Sequence, residues 1–336
     1  MAQGYRLGSD GNWQADVMII CHCDPVTSAK VWTTPAWRKL VESWLDEQLA
    51  AQGIRRMGEL TQPRVRPWGT VLTAPTSAGV IWLKAPGPAT VFEVGLYDVL
   101  REVAPEWVLE PIALDVERGW LVLPDGGTSL RASAADPFDS MMKVLPQYGE
   151  LQRRLSPHVN RLLGAGVVDM RADVLPERFD EAVAAVRRRP HSKELIDRIV
   201  ARRDLVVERC AQLGDLASLD HNDLHVGNVF LSGGRVKFYD WGDSVVAHPF
   251  ASMLVVLGEL DVASAERLRD SYLEAFSDLA PHRELVEQLD LACWLGMIAR
   301  TLVWERALAS DPGKWATAPL ETLSGLLSDR WLKVTQ

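Results

Sequence analysis

Apolar positions change their period along the chain, and each change marks an element. Val17 to Cys23 is a short continuous apolar run of the length a buried strand takes. Thr34 followed by Pro35 signals a helix start, and amphipathic spacing continues to about Gln52, where Gly53 stops it. From Arg64 the pattern shortens. Val65, Val71 to Thr73 and Val80 to Lys84 are β-rich pieces separated by Pro67, Trp68, Gly69 and by Pro75 to Gly79, which suits a meander of antiparallel hairpins. Helical spacing returns over Thr90 to Val103 through Val91, Val94, Leu96, Val99 and Leu100, and two further strands follow at Ile112 to Asp115 and Trp120 to Leu123.

Leu123, Pro124, Asp125, Gly126 and Gly127 then form a turn-rich break. Beyond it the pattern is helical over Asp139 to Leu163, Arg178 to Arg188 and Ser192 to Leu213, is interrupted by strands at Val229 to Leu231 and Val236 to Tyr239, and resumes from Pro249. The expectation is an α+β chain in three parts: a cap over residues 1–60, a small antiparallel sheet over 61–125, and a mainly helical part over 126–336. No internal repeat or low-complexity tract interrupts this order.

Composition narrows the class. The 336 residues suffice for about two domains, and 47% hydrophobic with 24% charged residues is the balance of a globular chain. Apolar runs such as Val17 to Cys21 fall far short of the roughly 18 residues a spanning helix needs, so no membrane partner is expected. Met1 to Asn12 is polar with no apolar stretch behind a basic start, which makes the cytoplasm the expected location. Cys21, Cys23, Cys210 and Cys293 are too scattered for a disulfide framework and are expected to be reduced core thiols. A net charge of −9 argues against nucleic acid as a partner and favours a neutral or cationic small molecule.

The chemistry is concentrated in His221, Asn222, Asp223, Leu224, His225, Val226, Gly227, Asn228, followed after a hairpin by Tyr239, Asp240, Trp241, Gly242, Asp243. An aspartate with an asparagine five residues later, on a loop between strands, fits phosphoryl transfer: Asp223 accepts the proton of the acceptor hydroxyl and Asn228 ligates Mg²⁺. Asp240 gives the metal a carboxylate, and Gly242 behind it permits close backbone approach. A different class competes for the same residues. His221, Asp223 and His225 at alternate positions also suit a His/Asp metallohydrolase, although no second His-rich group accompanies them and Asn228 is a poor zinc ligand.

These two segments, His221 to Phe230 and Tyr239 to Asp243, resemble the catalytic and metal-binding loops of the aminoglycoside phosphotransferase and choline kinase superfamily. That resemblance implies a bilobal protein-kinase-like fold, ATP as phosphoryl donor with Mg²⁺, Asp223 as catalytic base, and Asn228 with Asp240 as metal ligands. It also implies that Lys84 binds phosphate with Glu93 as its ion-pair partner, and that Leu123 to Gly126, with Leu123 and Asp125, is the hinge whose backbone reads adenine. The spacing agrees, because a lysine closing a third strand and a helical glutamate nine residues later place an ammonium on nucleotide phosphates. Two departures stand out. No Gly-x-Gly-x-x-Gly occurs, so the phosphate loop falls on the turn around Pro67 to Thr70, and Ala247, His248, Pro249, Phe250 replace the family's Gly-Asp-Pro.

The acceptor hydroxyl must lie between Asp223 and the carboxy-terminal helices, which carry Trp294, Arg300, Trp304, Glu305, Arg306 and Trp315. An aromatic plate with adjoining carboxylates suits a sugar ring bearing an amine, so Asp243, His248, Trp304 and Glu305 are the candidate substrate residues. An extra amino-terminal cap before a compact nucleotide lobe resembles bacterial maltokinases and glucosamine kinases within the superfamily. The expected acceptor is a sugar or aminosugar, glucosamine first, with maltose and aminoglycoside antibiotics as alternatives.

Overall fold

In the computed structural model the described residues are 5–7, 13–15, 30–133, 136–232, 235–258, 260–309 and 313–328. The strand expected at Val17 to Cys23, with Cys21 and Cys23, lies outside them. Two short strands, β1 (Tyr5–Leu7) and β2 (Trp13–Ala15), pair antiparallel. Helix α1 (Pro35–Ala51) starts where its sequence signals it, with the Thr34 hydroxyl accepting from Trp37 N at 3.3 Å. It ends ahead of Gly53, whose φ of +70° suits a residue without a side chain.

The meander follows as β3 (Thr61–Arg66), β4 (Gly69–Thr76) and β5 (Gly79–Pro86), then α2 (Phe92–Val103), β6 (Ala113–Asp115) and β7 (Trp120–Pro124). These five strands form one antiparallel sheet in the order β3-β4-β5-β7-β6. Alternation along β5 decides which face does what. Ile81, Leu83 and Ala85 are buried against α1, while Trp82 and Lys84 point to the opposite face. The buried face of α1, with Trp37, Val41, Trp44, Leu45 and Leu49, closes a core of its own with Leu72, Ile81, Leu83, Trp120 and Val122. Cap helix and sheet thus share one apolar layer, with Trp44 edge-on to Trp120 at 5.2 Å.

After the hinge, β8 (Thr128–Ser129) leads into α3 (Pro137–Leu155), α4 (Val159–Gly164), β9 (Val168–Asp169), α5 (Leu175–Val186), α6 (Lys193–Val200) and α7 (Arg203–Gln212). The helix expected over Ser192 to Leu213 is two helices, and that over Asp139 to Leu163 is broken at a 3₁₀ turn containing Pro157, where a proline cannot continue the ladder. Next come β10 (Ser218–Asp220), β11 (Val229–Ser232), β12 (Arg235–Phe238) and β13 (Val245–Ala247). Their sheets, β10-β13-β9 and β12-β11-β8, recruit two-residue strands too short to carry a period in the sequence.

The chain closes with α8 (Met253–Leu257), α9 (Val262–Leu273), α10 (His282–Ala307) and α11 (Ala318–Ser324). Helix α10 is the axis of this lobe, buried at Leu285 and Leu289 and without a break from Ala292 to Ala299. Trp241 and Trp294 are fully enclosed, so much of the tryptophan content fills cores. Cys210 and Cys293 are free and buried, and burial pushes the Cys210 thiol up to about 11. Among the described residues no helix is long and apolar enough to cross a membrane.

Leu45 is fully buried where α1 meets the sheet, so Leu45→Ala should cost about 2–5 kcal/mol. Denaturant unfolding of the full chain checks this, and a loss below about 1 kcal/mol would detach the cap from the sheet's core.

Candidate active site

The cleft face of β5 delivers Lys84, and the first turn of α2 delivers Glu93, which is almost fully buried. Lys84 Nζ lies 2.7 Å and 2.6 Å from the two carboxylate oxygens of Glu93 and makes a short hydrogen bond to Asp240. Burial opposes the lysine charge, but Asp240 and Glu93 outweigh it and hold its pKa above the ordinary value. Lys84 in turn holds Asp240 below the carboxylate range. Glu93 is shifted upward by burial against that attraction, and it accepts Trp241 N at 3.0 Å. A β-carbon on Gly242 would stand 3.3 Å from Glu93 Oε2, so the close approach expected at this glycine is real.

The second group sits on the loop after β10. Asp223 Oδ1 accepts from Arg300 Nη2 at 2.9 Å, and Asn228 Nδ2 donates to Asp223 O at 3.0 Å. Tyr239 N donates to Asn228 O at 3.2 Å, which sets Asn228 beside the residue that precedes Asp240. The backbone bond thus sets the loop that carries Asp223 and Asn228 beside the one that carries Asp240. Their donor set is hard oxygen: the Asp240 carboxylate, 42% exposed, and the Asn228 amide oxygen, whose amide nitrogen is spent on Asp223. Such a pair fits Mg²⁺ completed by phosphate and water rather than an all-protein cage, and among the described residues no cluster of three or more His, Cys, Asp or Glu forms a cage.

One residue on each of these two loops has backbone geometry that sequence pattern does not announce. Asn222 has φ +60° and Asp240 φ +64°, both left-handed, which Asn and Asp tolerate best among residues with a side chain. Asn222 is tied there by Asp220, which is completely buried. Asp220 Oδ1 accepts from Asn222 N at 2.7 Å and from Ser252 Oγ at 2.6 Å, and Oδ2 accepts from Asn222 Nδ2 at 3.2 Å. Behind Ser252 the Tyr148 hydroxyl, 2.8 Å away, accepts His221 N, and Gln152 Nε2 holds Leu219 O and Pro249 O. Burial raises the Asp220 pKa against these donors. The neighbouring histidines are committed to backbone. His221 Nε2 pairs with Tyr239 O at 2.9 Å and His225 Nδ1 accepts Gly227 N at 2.9 Å, so each ring braces the loop through one nitrogen.

A cavity of about 240 Å³ opens between the lobes, walled by Val71, Trp82, Leu123 and Asp125 and floored by Phe230 and Tyr239, whose rings stack at 4.2 Å. Asp125 N donates to Val80 O, and its carboxylate accepts Gly127 N at 2.7 Å and Trp82 Nε1 at 3.1 Å. Its side chain thus folds the turn that joins the two lobes. The β3-β4 turn, where the phosphate loop was expected, is only Pro67 and Trp68. Trp68 O accepts Gly87 N at 2.7 Å and the Thr90 hydroxyl at 3.2 Å, a contact so close that a side chain at residue 87 would collide with it.

The expected acceptor residues divide. Asp243 faces Arg300 at 3.5 Å and its carboxyl is pushed up by burial, while Trp304 packs beneath Arg300 at 4.9 Å and beside Trp315 at 5.9 Å. Glu305 is ion-paired with Arg189. His248 departs from its expected place at the acceptor: it is buried, its Nδ1 accepts Phe250 N, its ring stands edge-on to Phe250, and burial holds its pKa down to about 3. It caps the turn after β13 because Ala247 and Pro249 draw that segment into the core. Trp294, fully enclosed, donates Nε1 to Ser328 O.

Comparison with known proteins agrees with this geometry. The family model described as "Phosphotransferase enzyme family" matches residues 88–285. Among solved structures the chain is similar to a macrolide 2'-phosphotransferase type I, with 20% identity, a TM-score of 0.57, and coverage of 86% of this chain and 97% of that one. It is similar to choline kinase LicA from Streptococcus pneumoniae, with 14% identity, a TM-score of 0.57, and 86% and 99% of the two chains covered. The GDP and kanamycin complex of APH(2")-IIia aligns at 15% identity and a TM-score of 0.56 over 84% and 97%. Among curated protein sequences none matches significantly.

The Asp220 tether makes a local prediction. Asn222→Ala must place an ordinary residue in a left-handed conformation and should lose about 1–2 kcal/mol, whereas Asn222→Gly should be closer to wild type; thermal denaturation of both variants ranks them, and the reverse order would contradict the assigned backbone.

Proposed function

Since the chain belongs to the phosphotransferase enzyme family, we propose that it is an ATP-dependent small-molecule kinase whose acceptor is a hydroxyl of a sugar or aminosugar. The observation that carries this reading is the meeting of Lys84 and Glu93 from one side of the cleft with Asp240 from the other, on the loop beside Asn228 and Asp223. The nucleotide base enters the cavity beside Leu123 and Asp125, with Tyr239 and Phe230 beneath it. Lys84 reaches the phosphates, and Glu93 holds its ammonium in place.

As transfer proceeds, the acceptor oxygen forms a bond to the terminal phosphorus, the bond from that phosphorus to the bridging oxygen breaks, and ADP departs. The acceptor's proton passes to the Asp223 carboxylate. Magnesium, when bound, would be held by Asp240 and Asn228 and would supply positive charge against the phosphate oxygens. Arg300 fixes the base: it donates to Asp223 Oδ1 at 2.9 Å and to Asn222 O at 2.6 Å, so both carboxylate and loop backbone are oriented before substrate arrives.

Two variants separate the roles. Asp223→Ala should lower turnover about 10²- to 10⁴-fold with nucleotide binding kept, and a normal kcat would remove Asp223 from the role of base. Asp240→Ala should abolish the magnesium dependence of ATP binding in calorimetric titration, and an unchanged affinity for MgATP would overturn that assignment. Magnesium-dependent ATP consumption, screened over glucosamine, glucose, maltose, kanamycin and choline, tests the acceptor class.

A further inference from the structure

Resting on the kinase reading, a second phosphate contact can be located on β3. A glycine-rich loop holds phosphate through successive backbone N–H groups, and the β3-β4 turn has few to give. Pro67 brings no N–H, Trp68 brings one, and Gly69 is paired with Arg66 across the hairpin. Charge for the phosphates must then come from side chains. Lys84 supplies one cation, already held between Glu93 and Asp240. Arg64 stands in the same row of the sheet: it is opposite Val71, and Val71 is opposite Lys84, with neighbouring Cα atoms about 5 Å apart. The row nearer the hinge is a different one, Thr61, Thr73, Trp82 and Leu123.

A bulge decides which face Arg64 takes. Three steps along β3, from Thr61 to Arg64, face two steps along β4, from Thr73 to Val71, so β3 carries one extra residue in the stretch that holds Gln62 and Pro63. In an even register Pro63 would oppose Val71, and Arg64 would turn towards α1. With the bulge, Val65 packs on the α1 core and Arg64 lines the cavity beside Val71, Lys84 and Asp240. Asp240, held below the carboxylate range chiefly by Lys84, also feels the Arg64 charge. Among the described residues no side chain or carbonyl engages the Arg64 guanidinium, and the residue is exposed. A charge that only kept the edge of β3 from pairing would serve on either face, whereas this one is turned into the cleft. The guanidinium fork matches phosphate oxygens in pairs. We propose that Arg64 is a phosphate-binding residue, which engages the phosphate oxygens of the bound nucleotide alongside Lys84 in place of the backbone donors of a glycine-rich loop.

Calorimetric titration of the full chain with MgATP and with adenosine tests this in wild type, Arg64→Met and Arg64→Lys. Lys39→Met, at an exposed position of α1 on the far side of the sheet, controls for the loss of one positive charge. Arg64→Met should weaken MgATP about tenfold or more and leave adenosine within about twofold of wild type, which shows that its pocket is intact. Arg64→Lys should recover part of the MgATP affinity, and Lys39→Met should change neither ligand. An MgATP affinity within about twofold of wild type in Arg64→Met overturns the proposal and leaves the kinase reading standing. An equal loss for adenosine overturns it too, because the contact is then to the nucleoside or to the fold, and an equal loss in Lys39→Met reduces the effect to overall charge. If the wild-type chain binds neither MgATP nor adenosine, the kinase reading itself fails.

Discussion

The ammonium of Lys84, held between Glu93 and Asp240, is the interaction on which the rest depends. Its three members come from a strand, a helix and a loop of the opposite lobe, so this one contact clamps the two lobes together. Burial of one cation between two carboxylates is costly unless every member is paired, and here the loss of any member strands another in a low-dielectric setting. Trp241 N adds a fourth contact by donating to Glu93, which couples the position of α2 to the loop that carries Asp240. Helix, strand and loop are thereby set to a common register before any nucleotide arrives.

Much of this was legible in the chain. The alternation Ile81, Leu83, Ala85 against Trp82, Lys84 gives a half-buried strand, and the nine-residue step from Lys84 to Glu93 is what a strand, a short connection and the first turn of a helix require. The loop motif from His221 to Asn228 is local, so its chemistry survives without knowledge of the fold. The period was poorest where elements were shortest, as in the two-residue strands β8 and β9, which exist only because partners elsewhere in the chain bond to them.

Other parts of the site had no signal to follow. Arg300 acts on a residue 77 positions away, from a helix apolar on nearly every side, so its sequence context marks a core segment and not a site. Asp220 looks like one more acidic residue at a strand end, yet three donors converge on it, and its function becomes visible only once the left-handed backbone of Asn222 is known. His248 and Glu305 were candidate acceptor residues by type and position; tertiary packing enclosed one and gave the other to Arg189. Residue type announces chemistry, but pairing decides whether that chemistry is available.

The two-residue turn between β3 and β4 has a mechanical consequence. Because Trp68 O is fastened to Gly87 N and the Thr90 hydroxyl, the β3-β4 turn is riveted to the very connector that begins the helix bearing Glu93. A flap cannot lift independently of that helix. Turn, connector and helix therefore form one mechanical unit at that end of the sheet.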